Sequence, residues 1–145
     1  MKAPFNPEKE ILDYCKHICN ANVQTRRNNL QKKTWYWDYP AMACICHDAA
    51  CMRKRPGFSH SPNQTDFVPV LKDKLEELGT IGESSAKPGN RYIIGNCAEQ
   101  HAGNHYMKAF GEDDLANLYF SSAIRPRTKQ IYAPCDNCKD TFPNL

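Results

Sequence analysis

No run of apolar residues in this chain approaches the length of a membrane-spanning helix. Nor does Met1-Lys2 lead into an apolar stretch. Pro4, Asn6, Pro7 and the charged Glu8-Lys9-Glu10 follow, so a secretory signal is not expected. There is no internal repeat and no low-complexity linker, which leaves residues 1–145 to read as one domain. A strong charge imbalance is missing as well. Lys and Arg number 19 against 16 Asp and Glu, a net +3 that tolerates an anionic partner without demanding one.

What the chain does contain is 41% hydrophobic and 24% charged residues, the balance of a globular domain able to bury a core. Basic clusters at Arg26-Arg27, Lys32-Lys33, Arg53-Lys54-Arg55 and Arg125 to Lys129 read first as solvated surface. Eight cysteines raise the idea of a disulfide framework. Without a secretory signal, the C-x-x-C pair near the end reads better as a metal motif in a reducing compartment. The expectation is a soluble protein acting in a cytoplasm, with no membrane association.

Periodicity predicts a helix from about Glu8 to Gln31, with Ile11, Leu12, Cys15, Ile18, Cys19 and Val23 on its apolar face and Pro7 at its start. Trp35-Tyr36-Trp37 and Ala41 to Cys46 favour strands, separated by Asp38-Tyr39-Pro40. A turn at His47 to Ala50 leads to a short return strand near Cys51-Met52, and Gly57 to Asp66 reads as a loop. Phe67 to Leu78 predicts an amphipathic helix, and Ser84 to Asn90 a second loop. Asn96 is placed to cap the next helix with Glu99 completing a capping box, and Gly111 to stop it after Phe110. Leu115 to Ile124 reads as a buried strand, Gln130 to Tyr132 as another, and Pro134 opens a final helical turn. Strands alternating with helices imply an α/β class, three-layer domain.

The chemistry gathers in two motifs, Cys97-Ala98-Glu99 and Pro134-Cys135-Asp136-Asn137-Cys138. Cys97, Cys135 and Cys138 supply three thiolates. Three protein ligands leave a tetrahedral zinc one open position, which distinguishes catalytic from structural sites. Helix starts favour thiolate, since free N–H groups and the macrodipole stabilise negative charge. Zinc lowers the pKa of a water it holds, and Glu99, two residues from a ligand, is placed to move that water's protons. H-x-E followed by P-C-x-x-C is the general layout of zinc nucleobase deaminases, with Cys97 here in the histidine position. Three thiolates weaken the Lewis acidity of the metal, so a nearby cation is expected, with Arg125 or Arg127 as its source. A closed site is the alternative. His101, four residues after Cys97 on the same helical face, would complete a Cys3His sphere and make the metal a staple.

Asn96-Cys97-Ala98-Glu99-Gln100-His101-Ala102, the Asp114-Leu115 step and Ala133-Pro134-Cys135-Asp136-Asn137-Cys138 resemble the cytidine-deaminase-like superfamily. The closest likeness within it is to deaminase domains of bacterial polymorphic toxins, over about Tyr92 to Phe142. The resemblance implies an α/β/α sandwich with a mixed central sheet. It implies zinc on Cys97, Cys135 and Cys138, Glu99 as the proton shuttle, and His101 outside the metal shell. A target base in DNA, RNA or a free nucleotide would follow, cytosine being the commoner one. So would a cognate immunity protein and delivery of the domain as an effector into a target-cell cytoplasm.

Other residues carry weaker signals. Cys44, Cys46, His47 and Cys51 suggest a second metal site, although strand alternation puts Cys44 and Cys46 on one face, where core packing explains them. Trp35, Tyr36, Trp37 and Tyr39 are stacking candidates for bases or a buried aromatic strand. Ser59, His60 and Asn63, in the polar loop, and Trp37 are the candidate substrate contacts. His105 reads as packing or surface.

Overall fold

The computed structural model describes residues 3–28, 40–63, 65–85 and 92–145, with side chains left undescribed over 21–28. Trp35, Tyr36, Trp37 and Tyr39, with the strand expected there, lie outside the described residues, as do Lys32 and Lys33.

The first helix, α1 (Pro7–Asn28), starts where Asn6 accepts the backbone N–H groups of Glu8 and Lys9 at 3.0 and 3.3 Å. Proline then sits at the first helical position, where its missing N–H leaves nothing unsatisfied. Ile11 and Cys15 are buried and pack with Ala43, Ile45 and Ile124. Leu12 was expected on the same face but is 39% exposed, one helical step off the stripe.

Strand β1 (Ala43–His47) is buried at every residue, so both of its faces are covered. It pairs with β2 (Lys54–Phe58) through the His47 to Lys54 connection, where Asp48 Oδ1 accepts the N–H groups of Met52 and Arg53. The return strand therefore begins two residues beyond Cys51-Met52. Helix α2 (Pro69–Glu76) buries Leu71 and Leu75, and α3 (Ala98–Phe110) lies across β1 and β2. Gly57 permits that crossing: a Cβ there would fall 2.2 Å from the Ala102 nitrogen. Asn104 of α3 accepts the Val68 N–H at 2.9 Å and donates to the Asp66 carbonyl at 2.7 Å, tying α2 to α3. Gly111, at φ 66°, ends α3 as expected.

The expected strand over Leu115 to Ile124 is broken. Asp114 caps a 3-10 turn (Leu115–Asn117) by accepting the Ala116 N–H, and two short strands follow, β3 (Tyr119–Phe120) and β4 (Ala123–Ile124). Ser121 interrupts them. Its N–H donates to the Ile45 carbonyl and its Oγ accepts the Ile45 N–H, both at 2.9 Å, so a side chain replaces one rung of the ladder. β5 (Ile131–Tyr132) returns beside β4, and α4 (Asp136–Thr141) closes the chain.

The sheet runs β2-β1-β4-β5 with β3 also on β1. Every registered pair among the described residues is antiparallel, where a mixed sheet was expected. Short turns that reverse direction account for the β1–β2 and β4–β5 pairs. The fold is an α/β arrangement with helices packed on a five-stranded antiparallel sheet. No helix of the described residues is long and apolar enough to cross a membrane.

Candidate metal centre

Two helix starts meet through their cysteines. Cys97 is the N-cap of α3 and Cys135 the N-cap of α4, each with extended backbone. The cap was expected one residue earlier, at Asn96 with Glu99. Instead the Cys97 N–H donates to Gln100 Oε1 at 3.4 Å. That one-residue shift brings the thiol to the helix mouth and puts Glu99 in the second helical position, buried and facing α4.

The Cys97 and Cys135 sulfurs are 3.1 Å apart, and those of Cys135 and Cys138 are 3.6 Å apart. All three Sγ atoms lie within 4.8 Å of one another, and no other described group of cysteine, histidine, aspartate or glutamate does this for three ligand atoms. A tetrahedral ion with metal–sulfur bonds of about 2.3 Å separates its sulfurs by about 3.8 Å. The three cysteines therefore fit a metal ion with little movement. Glu99 stands beside them, with Oε2 3.0 Å from the Cys138 sulfur.

Electrostatics separates the three thiols. Hydrogen bonds from Cys138 and Cys97, helped by the backbone N–H groups of Cys138 and Asn137, hold Cys135 down at about 3. Cys97 and Cys138 are pushed up because Cys135 beside them takes the charge, and burial adds to the effect. Without a cation the cluster thus favours one thiolate. A bound divalent cation would favour all three. Burial raises Glu99, although its hydrogen bond with Cys138 pulls the other way.

His101 is not part of the cluster. Its Nε2 sits 3.1 Å from the His60 carbonyl, and its ring stacks between His60, at 3.6 Å between centroids, and Phe67. Burial, with His60 alongside, lowers it to about 4. The Cys3His sphere is therefore excluded as built: the ring that would close it is held against a backbone carbonyl.

Two arginines were expected to support the cluster. Arg125 places its guanidinium 5.1 Å from the Tyr132 ring centre, and Arg127 is exposed. The groups that shift the three thiols most are one another, Glu99 and nearby backbone; neither arginine is among them. Of the candidate contacts, Ser59 Oγ accepts the Met42 N–H at 3.0 Å. Asn63 accepts both the N–H and the hydroxyl of Thr65. His60 alone reaches the metal motif, its N–H donating to the Asn96 carbonyl. Trp37 lies outside the described residues. His105 faces the Pro56 carbonyl at 2.9 Å and is exposed.

The second cysteine group does not converge. Cys46 lies in the core shared with α2 and α3, and Cys44 is buried against the Ser121 carbonyl at 3.4 Å. His47 Nδ1 pairs with the Asp48 carbonyl at 2.8 Å, and Cys51 stands 3.6 Å away. None of the eight cysteines is in a disulfide.

Two motif residues beside the triad have surroundings that local spacing does not reveal. Asn137, buried between the α4 cysteines, donates from Nδ2 to the Tyr92 carbonyl at 3.2 Å, pinning α4 to the segment that leads into Cys97. Gln100, next to Glu99, keeps its Nε2 buried without a partner, a cost of about 1–3 kcal/mol that native folds rarely leave unexplained. Asparagine inside C-x-x-C was the available signal for the first; nothing local marks the second. No family model, no curated protein and no solved structure matches this chain.

Proposed function

We propose that the chain is a zinc-dependent hydrolytic deaminase that converts a nucleobase amino group to a carbonyl, with cytosine to uracil in DNA or RNA as the favoured reaction. The observation that carries the reading is the meeting of three cysteine sulfurs with one buried carboxylate. Cys97, Cys135 and Cys138 would hold the ion, leaving one position for a non-protein ligand. When bound, zinc supplies Lewis acidity that makes water a competent nucleophile near neutral pH. Glu99 Oε2 takes the proton from the attacking water and delivers protons to the ring nitrogen and then to the departing amine. The new C–O bond replaces the C–N bond, ammonia leaves, and the base keeps the oxygen as a carbonyl. Burial favours the protonated form of Glu99, which suits the delivery step.

The layers fit the same reading, with α1 on the Ala43 and Ile45 face and α3 on the Cys46 face of β1. An α/β/α sandwich is the architecture we infer. The toxin role, an effector acting in a target-cell cytoplasm under a cognate immunity protein, is proposed from the Tyr92–Phe142 resemblance and is testable by whether expression arrests growth in a Glu99-dependent way.

The decisive experiment measures ammonia release and base conversion on single-stranded DNA, double-stranded DNA, RNA and free nucleosides. Glu99→Ala should retain zinc and lose conversion. Unchanged conversion in that variant would overturn the reading. A purely zinc-stapled module would show metal in both proteins and conversion in neither.

A further inference from the structure

The three sulfurs are not equivalent in position. Cys97 and Cys135 are half-buried, and their sulfurs stand 3.1 Å apart. Cys138 is fully buried, 3.6 Å from Cys135, and its sulfur donates to Glu99 Oε2 at 3.0 Å. Sulfurs that share a tetrahedral ion lie about 3.8 Å apart, and sulfurs joined in a disulfide about 2.0 Å. The Cys97–Cys135 pair stands between those two states.

Closing that pair needs little movement of the backbone. Each cysteine is an N-cap with extended dihedrals, ahead of the first residue of its helix. Asn137 already ties the start of α4 to the segment that leads into Cys97. Cys138 is held more firmly, inside α4, where its carbonyl accepts the Phe142 N–H at 2.9 Å. Cys19 and Cys51 are half-buried as well, but their sulfurs face the Pro126 carbonyl and the His47 ring instead of another cysteine. An accessible thiol with a second cysteine beside it is the arrangement that oxidises reversibly.

We propose that Cys97 and Cys135 form a redox switch: hydrogen peroxide joins them in a disulfide that removes two of the three metal ligands, and a dithiol restores them. This names a regulation of the proposed deaminase site, and it rests on that reading for its effect on base conversion. The Cys135 thiolate attacks a peroxide oxygen, the O–O bond breaks, and hydroxide leaves a sulfenic acid behind. The Cys97 thiolate attacks the Cys135 sulfur, the S–O bond breaks, and a second hydroxide leaves as the S–S bond forms. Two electrons pass from the pair to one peroxide, and solvent protonates both hydroxides to water. Exchange with a dithiol returns two thiols and leaves the reductant as its own disulfide. In the linked protein Cys138 and Glu99 remain, too few groups for a three-ligand site.

The test treats zinc-loaded protein with one equivalent of hydrogen peroxide. Peptide mass spectrometry should find Cys97 linked to Cys135, and a chromophoric chelator should report one zinc released per link. The link should form about tenfold faster than Cys19 or Cys51 is oxidised, since neither has a sulfur beside it. Base conversion should fall in proportion to the linked fraction, and dithiothreitol with added zinc should restore it in full. A Cys135–Cys138 link, zinc retained by the linked protein, or earlier oxidation of Cys19 or Cys51 would overturn the proposal. So would undiminished conversion by linked protein. Linking with zinc release, in a protein that converts no base when reduced and zinc-loaded, would remove the deaminase reading and leave the switch standing.

Discussion

Two groups of cysteines stand on opposite kinds of backbone in this molecule, and only one of them converges. Cys44 and Cys46 alternate along β1, so their side chains leave the chain nearly 7 Å apart, about two strand residues. Cys135 and Cys138 sit three apart on the first turn of α4, which brings their sulfurs to 3.6 Å, and the N-cap of α3 adds Cys97 at 3.1 Å. Geometry decides which one can share an ion.

The sharpest way to break the contrast is metal stoichiometry. Metal analysis of the purified protein should give one ion per chain. Any of Cys97→Ser, Cys135→Ser or Cys138→Ser should abolish it, and Cys46→Ser should leave it at one while lowering stability by about 1–3 kcal/mol through a buried hydroxyl. A value near two, or metal retained without Cys135, would overturn the distinction.

Next in size is the carboxylate. On the proposed deaminase reading, Glu99→Ala should lower base conversion by about 10²–10⁴-fold with metal content unchanged, the range for a positioned acid–base group. The matching Cys44→Ala change, at a thiol that burial pushes up and that lies within the field of Glu99, should change conversion far less. Turnover assays on both variants order the two residues, and a reversed order would put the chemistry on β1.

Asn137 then tests whether the convergence is built or incidental. Its side chain is the strut between the two cysteine-bearing segments, so Asn137→Ala should weaken zinc affinity by about 10–100-fold, the usual effect of losing a hydrogen bond behind a metal ligand. Competition with a chromophoric chelator measures this directly. Affinity equal to that of the parent would mean that α4 finds its place without the strut.

Much of this was legible in the sequence, for reasons that differ by residue. The triad and Glu99 were readable because C-x-x-C and C-x-E fix local geometry on helix starts, and α2 and α3 were readable from their period and the Gly111 stop. The broken strand after Asp114 was not. Its interruption depends on Ser121 inserting a hydroxyl into the ladder of β1, a partner 76 residues away. The same holds for His101, whose spacing from Cys97 suits a ligand until the His60 carbonyl, from another segment, claims its ring. Local spacing proposes ligands; distant chain disposes of them.

That last point yields the smallest effect and a clean sign. His101 titrates at about 4 in the fold, below its ordinary 6.5, because burial and the neighbouring His60 disfavour its charged form. The unfolded chain therefore binds more protons than the native one between those values, and stability rises with pH across that window. The contribution is complete above about pH 6.5 and is lost as pH falls toward 4, amounting to about 2 kcal/mol between pH 7 and pH 5. Urea unfolding of the zinc-saturated protein and of His101→Gln at both pH values isolates it, since acid acts on the sulfurs equally in both. The parent should lose more stability than the variant. Equal losses would mean that His101 is charged in the fold, and a histidine free to take a proton is one whose ring is not held neutral beside the metal centre.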